Sequence, residues 1–313
     1  MTTAVRPPAP APHRIPRRSG RPRRRGPASQ RRLMGMLFVA PAAGYIGIFH
    51  LFPVLYGLYL SLTTYSPLDR GGPELVGFDN YAGLLNDADF HASVRVTVQF
   101  VAEVLPFAVA FALGLALLAN RSTRGIGLFR AGLFLPRIVP LAAVSLVWLW
   151  LYSPDGWFNH VLGQVGLEPR TWLLDEGSAL HAVAGMRIWK ALGGNMVLFL
   201  AGLQAIPRAL YEAATMDGAN AWQRFRYVTL PGLRPVTTYV VILNIVYLAQ
   251  SFAEIFILTG GGPLRSTTTT NFLIYEEAFQ NNRFGTASAM AFVLFALIFV
   301  FSFMVLRRMG RNP

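Results

Sequence analysis

Six long apolar runs constrain this chain more than any other feature of its sequence. A helix that crosses the roughly 30 Å hydrocarbon core of a bilayer needs about 20 residues. Runs of that length lie near residues 34–62, 93–119, 128–152, 182–205, 236–258 and 285–306. They are apolar on every face, as in 107–118, whereas the strands of a membrane barrel alternate with a period of two. The sequence therefore predicts an all-α polytopic membrane protein with six transmembrane helices.

The distribution of arginine along the chain predicts how these helices are oriented. Loops that stay in the cytoplasm carry an excess of Lys and Arg. Basic stretches alternate here with others: 1–32, 120–127, 207–235 and 307–313 are basic, 63–92 and 153–181 are mostly acidic, and 259–284 is balanced. We therefore expect both termini in the cytoplasm and a multi-pass location in the inner (plasma) membrane.

The N-terminal stretch 1–32 differs from the rest of the chain in composition. It holds ten arginines and no acidic residue, and it accounts for most of the formal net charge of +13. Because it is also rich in proline, we expect a disordered cytoplasmic tail beside anionic membrane lipid, followed by a transmembrane permease domain at 33–313. A nucleic-acid-binding arm is the alternative. Binding of residues 1–32 to nucleic acid in preference to anionic lipid at low salt would favour it, but nucleic acid is not the expected partner.

The chain lacks the residues that several kinds of catalytic or metal site require. It has no cysteine, and its five histidines form no i, i+4 pair of the kind that binds a metal on a helix. Lys190 is the only lysine, and no glycine-rich phosphate-binding loop precedes it. We therefore expect no metal site, no catalytic residue and no ATP hydrolysis by this chain. Active transport would draw its energy from a partner protein or an ion gradient.

The polar stretch 212–235, between the fourth and fifth apolar runs, has the properties of a stiff projection at the membrane surface. Good helix formers precede Gly218, and a glycine at that position permits a sharp bend. Asp217 is placed to cap a second short helix. Leu230–Pro231 and Pro235 are expected to end the segment and to set the start of the fifth span.

This stretch resembles the cytoplasmic coupling loop in the membrane subunits of bacterial ATP-binding-cassette (ABC) importers. The shared pattern is Glu-Ala-Ala, two residues, Asp-Gly-Ala, a spaced phenylalanine and then Leu-Pro. The resemblance implies that the loop, residues 207–235, docks into a cleft on a cytoplasmic ATPase and transmits its closure to the membrane helices. The residues so implied are Glu212, Ala213, Ala214, Asp217, Gly218 and Ala219 at the docking face, with Phe225, Leu230 and Pro231 bracing it. ATP would bind to the partner subunits and no cofactor to this chain. An ordinary interfacial helix is the alternative.

Other elements resemble one type of membrane subunit, the first permease of maltose and glycerol-3-phosphate uptake. They are Val-Gly-Phe-Asp-Asn-Tyr at 76–81, Phe-Leu-Pro at 134–136, the stretch 199–207, and Leu-Thr-Gly-Gly-Gly-Pro at 258–263. The resemblance implies the type I ABC importer permease fold. It also implies three partners: a second homologous permease, a cytoplasmic ATPase dimer and an extracytoplasmic solute-binding protein. The implied solute is a sugar, an oligosaccharide or a polyol phosphate. Arg137 and Glu103 depart from the pattern.

Polar residues in the fifth apolar run form a candidate solute-facing wall. Asn244, Tyr247, Gln250, Ser251 and Glu254 fall within about 120° of one another on a continuous helix. Sugar hydroxyls need such donors, acceptors and aromatic faces, and Asn195 and Gln99 are placed to complete the wall. Hydrogen bonding between helices uses the same residue types and is the alternative.

Two other functions remain open from the sequence. Glu103 and Glu254 are the residues that a proton-coupled secondary transporter would use as a proton path. An ABC permease for a solute other than a carbohydrate would carry the same coupling loop.

Overall fold

The computed structural model of the protein describes residues 28–121 and 123–309, apart from the side chains of 28–33. Residues 1–27 of the predicted tail, 1–32, therefore lie outside the described residues, and so does Arg311. The first helix already begins at Ala28, five residues before the predicted start of the transmembrane domain. The described part of the chain divides into two units, one ending at Val54 and the other beginning at Leu55.

Helices make up most of the described chain. In order they are α1 (Ala28–Ile46), α2 (Phe52–Ser61), α3 (Asp79–Leu84), α4 (Ala88–Ala119), α5 (Ile126–Ile138), α6 (Leu141–Leu151), α7 (Trp157–Gln164), α8 (Ala179–Ala205), α9 (Arg208–Met216), α10 (Ala221–Arg224), α11 (Leu230–Gly232), α12 (Arg234–Ala249), α13 (Ala253–Leu258), α14 (Thr270–Tyr275) and α15 (Phe284–Met309). Three π-helical turns lie at Gly47–Leu51, Phe225–Thr229 and Glu276–Gln280. Two short antiparallel strands, β1 (Thr63–Thr64) and β2 (Glu74–Leu75), pair Thr63 with Leu75.

Among the described residues, three helices are long and apolar enough to cross a membrane: Met34–Ser61, Ala88–Ala119 and Phe284–Met309. If each of two bent pairs is one span, the number is up to five; the pairs are α5 with α6, bent by 98°, and the segment Ala221–Gly232 with α12, bent by 63°. The fourth predicted span is the continuous helix α8, which contains Arg187 and Lys190 and is not in this set. The number of six spans and the cytoplasmic termini stay predictions.

The third predicted span, 128–152, is wrong as a single helix, because the chain breaks between α5 and α6. Val139 has extended backbone angles (φ −68°, ψ 133°) and is followed by Pro140. A proline disfavours helical angles in the residue before it, so the break occurs here. The side chain of Lys190, on α8, donates hydrogen bonds to the carbonyls of Pro136 (2.9 Å) and Val139 (2.8 Å). A cation thus satisfies carbonyls that the end of α5 leaves without helical partners.

The fifth predicted span, 236–258, is also divided. Helix α12 ends at Ala249, and Phe252 leaves helical geometry (φ −138°, ψ −58°) before α13 begins at Ala253. Helix α13 packs against α6 and α8. A helical wheel drawn across this break therefore assigns wrong relative directions to residues on its two sides.

Small residues allow the central helices α4, α5 and α8 to approach closely. Ala108, Ala112 and Ala116 recur every fourth residue on α4 and are fully buried. A Cβ atom on Gly193 of α8 would overlap the backbone carbonyl of Leu133 on α5. Membrane helices associate through such small-residue contacts because lipid provides no hydrophobic driving force between them. Among the described helices, α4 and α8 have the most extensive contact with one another.

The stretch 76–81 joins the end of α2 to the loop that follows it. The Asn80 amide donates to the carbonyls of Ser61 and Thr63, both at 2.9 Å. The hydroxyls of Tyr81 and Ser61 lie 2.7 Å apart. This sequence element therefore has a structural role at the end of a span.

The stretch 258–270 folds into a hydrogen-bonded loop between α13 and α14. The Thr267 and Thr268 hydroxyls donate to the carbonyls of Gly262 (2.8 Å) and Gly261 (2.9 Å), and the Thr269 hydroxyl donates to the carbonyl of Ser251 (2.9 Å). The four threonines at 267–270 are buried. The Leu-Thr-Gly-Gly-Gly-Pro element thus fixes a loop rather than forming an open site.

Gly261 has no room for a side chain, so we expect Gly261→Ala to lower the melting temperature of the purified transporter. Its φ is +84°, and a Cβ would lie 2.6 Å from the buried Phe272 ring. Such overlap adds about 1–3 kcal/mol to the strain of a left-handed backbone. The matched control is Gly260→Ala, which has φ +58° but no atom within 4 Å of the new Cβ. Equal melting temperatures for the two variants would contradict the close packing at Gly261.

Candidate functional site

The stretch 208–232 forms a projection of two short helices, α9 and α10, separated by a tight turn. Helix α9 ends in a Schellman motif, in which Ala219 N–H donates to the Ala214 carbonyl (2.9 Å) and Gly218 N–H donates to the Thr215 carbonyl (3.0 Å). Gly218 has φ +76°, the left-handed angle that this motif requires after the helix. The predicted bend at Gly218 is confirmed.

The second helix is capped by Asn220, so the predicted capping by Asp217 is wrong. The Asn220 side chain accepts from Gln223 N–H (2.9 Å), and the Gln223 side chain accepts from Asn220 N–H (2.8 Å), which is a capping box. Asp217 is instead the C-terminal residue of the α9 turn. The left-handed Gly218 moves the start of the second helix three residues past Asp217, beyond the reach of its carboxylate.

The projection continues into the fifth span without a clear end at Leu230–Pro231. These residues begin α11, directly after the turn Phe225–Thr229. The bend lies between Gly232 and Arg234. Pro231 occupies the first turn of α11 and Pro235 that of α12, where a missing N–H is tolerated. Pro235 therefore starts the fifth span as predicted, whereas Leu230–Pro231 does not end the segment before it.

Two hydrogen bonds hold the projection together. The hydroxyl of Tyr211 lies 3.0 Å from that of Thr229, and Arg224 donates to the Thr215 hydroxyl at 3.0 Å. Because these bonds join α9 to α10 and to the turn that follows, the projection is braced as one body.

The predicted docking residues lie on the outer surface of this projection. Glu212, Ala213, Asp217, Gly218 and Pro231 are exposed, and Ala214, Ala219, Phe225 and Leu230 are half-buried. Sequence reasoning missed two large apolar side chains beside them, Met216 (89% exposed) and Trp222 (68% exposed). A large apolar side chain in a polar loop is a signal that was available in the sequence.

A second candidate site is a cavity of about 350 Å³ between α5, α8 and α12. Its walls consist of Phe134, Arg137, Arg187, Lys190, Ala191, Gly194, Asn195, Val197, Leu198, Tyr239, Leu243, Asn244, Tyr247 and Leu248. Hydroxyl, amide and cationic groups therefore share one cavity with aromatic rings.

Two amides of the cavity wall bind one another. The Asn244 amide donates to Asn195 Oδ1 (3.1 Å) and to the Val240 carbonyl (2.8 Å), and the Asn195 amide donates to Asn244 Oδ1 (3.4 Å). Both asparagines are buried. They join α8 to α12 while lying at the edge of the cavity, so the alternative of hydrogen bonding between helices holds for this pair.

A buried ion pair lies next to the cavity. Arg187 Nε is 3.2 Å from Glu254 Oε1, and the Glu254 side chain is 1% exposed. Neither Glu254 oxygen accepts a hydrogen bond from any described residue. Among the described residues, Arg187 is the cation within ion-pair distance of this carboxylate.

The five residues predicted to form one wall on the fifth span do not share one surface. Asn244 and Tyr247 line the cavity, but Gln250 lines a different cavity, of about 460 Å³, between α12 and α15. Ser251 and Glu254 are buried at and beyond the break. The single-face geometry is wrong because α12 ends before Gln250.

Gln99 lies apart from this cavity. On α4 its amide donates to Glu103 (2.9 Å), whose other carboxylate oxygen is 2.9 Å from Nδ1 of His181. None of these three residues lines the 350 Å³ cavity.

Sequence reasoning missed Arg187 and Tyr239 as cavity residues, and it considered Lys190 only as a possible phosphate-binding lysine. Arg187 and Lys190 lie three residues apart in the fourth apolar run, so they share one face of α8. Charged residues within a predicted span face protein or a cavity, and this signal was present in the sequence.

Within 28–121 and 123–309, no group of three or more His, Cys, Asp or Glu residues is arranged to hold a metal ion. The two candidate sites described above are a surface projection and a polar cavity.

The family model described as "Binding-protein-dependent transport system inner membrane component" matches residues 108–309, from the second span to the end of α15. The chain belongs to this family. Its projection and its cavity thus lie in an inner membrane component of a transport system.

Known transport permeases are similar in sequence to this chain over most of its length. The lactose transport system permease protein LacF of Rhizobium radiobacter is 37% identical over 86% of this chain and 92% of the relative. The sn-glycerol-3-phosphate transport system permease protein UgpA of Rhizobium meliloti (strain 1021) is 34% identical over 85% of this chain and 91% of the relative.

A solved structure has the same fold. It is a crystal structure of a bacterial alginate ABC transporter in complex with an alginate pentasaccharide-bound periplasmic protein. One of its chains matches with a TM-score of 0.79 and 22% identity, over 91% of this chain and 97% of that chain. This inner membrane component therefore has the type I ABC importer permease fold.

Proposed function

We propose that this chain is a permease subunit of an ABC importer that moves a sugar, an oligosaccharide or a polyol phosphate into the cytoplasm. It would work with a second homologous permease, a cytoplasmic ATPase dimer and an extracytoplasmic solute-binding protein. In this proposal the chain has six spans with both termini in the cytoplasm, so the coupling loop, 207–235, lies on the ATPase side. The observation that carries the proposal is the braced, exposed projection of α9 and α10 in a member of this family.

The projection supports the coupling role through its geometry. Its Schellman turn, capping box and two bracing hydrogen bonds make it stiff. Met216 and Trp222 add exposed apolar surface beside Glu212 and Asp217. Buried aromatic and apolar side chains supply most of the energy of a protein interface, so these residues suit a docking surface that transmits force.

The relatives support the solute class without deciding its charge. Lactose is neutral, whereas glycerol-3-phosphate and alginate are anionic. All three solutes carry several hydroxyl groups. We propose that Asn195, Asn244 and Tyr247 contact the solute during its passage, since they line the same cavity. Gln250, Ser251 and Glu254 belong to the path only if the break after Ala249 moves during transport.

A proton-coupled transporter is the less favoured function. Its proton path would use Glu103 and Glu254, which lie beside different partners, His181 and Arg187. The two acids thus belong to separate pairs rather than to one shared relay.

The test is uptake by proteoliposomes that contain both permeases and the ATPase, with the solute-binding protein outside. We expect ATP enclosed in the vesicles to drive uptake, and inactivation of the ATPase to abolish it, because this chain has no nucleotide-binding loop. Vesicles with a proton gradient and no ATP are the control. Uptake driven by that gradient alone would overturn the proposal.

A further inference from the structure

Three cationic side chains line the cavity between α5, α8 and α12: Arg137, Arg187 and Lys190. The lining residues include no acidic residue. Glu254, next to the cavity, neutralises Arg187. The cavity wall therefore has an excess of positive charge inside a membrane-spanning region, where charge without a counter-ion is costly.

Two of the three cations have structural partners in the fold. Lys190 binds the carbonyls of Pro136 and Val139 at the break between α5 and α6. Arg187 faces Glu254. Their presence is explained by packing alone, although both still contribute positive potential to the cavity.

Arg137 differs from the other two. Its guanidinium carbon lies 5.8 Å from the centre of the Tyr247 ring. Its side chain also passes close to Gly194, because a Cβ built on Gly194 would lie 3.4 Å from Arg137 Cδ and Nε. Within the described residues no carboxylate is within ion-pair distance of Arg137, and its side chain is exposed. The Tyr247 ring and the space at Gly194 orient the Arg137 guanidinium in the cavity, and neither of them neutralises its charge.

This arrangement suits an oxyanion better than a neutral hydroxyl. A guanidinium offers parallel N–H donors that match the oxygens of phosphate, sulfate or carboxylate, and these charge-assisted bonds are about twice as strong as neutral ones. The neutral amides of the wall, Asn195 and Asn244, are engaged with one another. The hydroxyls of Tyr239 and Tyr247 also line the cavity and would contact the neutral part of a solute, together with these amides once they exchange their hydrogen bonds.

We infer that this cavity takes a solute that carries an oxyanion group on a hydroxylated skeleton, and that Arg137 is its specificity-determining residue. The inference rests on the proposed function, since it treats the cavity as part of the solute path. Phosphate, sulfate and carboxylate share the chemistry that Arg137 recognises.

The absence of cysteine from the sequence makes a direct test possible. Leu243→Cys places one thiol in the cavity wall, and the complete transporter, with both permeases and the ATPase, is reconstituted in nanodiscs from otherwise cysteine-free subunits. The rates of modification by a sulfonate-bearing and a trimethylammonium-bearing methanethiosulfonate reagent are then compared. We expect the anionic reagent to modify the thiol about tenfold faster than the cationic reagent does. Arg137→Gln should remove most of this difference, since a single charge at short range changes the local concentration of a charged reagent by this order.

Two matched controls separate charge from shape. Arg137→Lys should keep the anionic preference. A thiol at Val246, which lines the cavity between α12 and α15, should show no change when Arg137 is replaced.

The ligand itself is probed with glucose 6-phosphate and glucose, which share one hydroxylated skeleton. Glucose 6-phosphate should slow modification of the Leu243→Cys thiol more than glucose does, and only with Arg137 or Lys at position 137; glucuronate in a third arm separates carboxylate from phosphate. Equal reagent rates, or equal protection by glucose and its phosphate, would overturn the inference. ATP-driven uptake is measured separately, so the proposed function stands or falls on its own result.

Discussion

Arg187→Met is expected to destabilise the assembled transporter strongly, by about 3–5 kcal/mol, because it removes the cation within ion-pair distance of a buried carboxylate. Glu254 is 1% exposed, and neither of its oxygens has a hydrogen-bond donor among the described residues. The measurement is the melting temperature of the purified complex, followed by the amount of complex that assembles in the membrane.

The double variant Arg187→Met with Glu254→Gln is the matched control. It removes both charges together, and such replacements are often close to neutral, so it should melt much closer to the unmodified transporter. A single variant that melts at the unmodified temperature would show that Glu254 is compensated by something other than Arg187.

Gly218→Val is expected to reduce transport by roughly tenfold or more while ATP hydrolysis continues. Gly218 has φ +76°, and a β-branched residue in that conformation costs of order 1–3 kcal/mol. The strain is relieved if the turn between α9 and α10 opens, which changes the angle at which the projection meets the ATPase. ATP hydrolysis and solute uptake are measured on the same reconstituted vesicles.

Gly218→Asn tests whether coupling depends on the left-handed backbone at position 218 or on the absence of a side chain there. Asparagine tolerates left-handed angles, and nothing lies within 4 Å of a Cβ at this position. The asparagine variant should therefore keep most of the coupling that the valine variant loses. If valine and asparagine behave alike, and both transport as the unmodified protein does, the bend at Gly218 has no part in coupling.

Local properties of the sequence were sufficient for the helical class, for a helix in each apolar run and for the turn at Gly218. A helix in lipid must satisfy its own backbone groups, so a long apolar run predicts one without knowledge of its neighbours. Gly218 acts in the same local way, because the left-handed angle after α9 depends on the residue itself. The resemblance of 212–235 to a coupling loop likewise depended on residues close together in the chain.

The tertiary structure alone decided which polar residues meet. Arg187 and Glu254 are far apart in sequence, and no periodicity pairs them. Lys190 reaches the break before Pro140 because α8 crosses α5 at Gly193, where only hydrogen fits. The predicted wall from Asn244 to Glu254 assumed a continuous helix, and that assumption failed after Ala249, where the loop at Ser251 bonds to Thr269 instead. Helical periodicity holds only as long as the helix does. Pro140 marks the break after α5 in the local sequence, whereas the break after Ala249 is accompanied by a hydrogen bond to a distant segment that the local sequence does not contain.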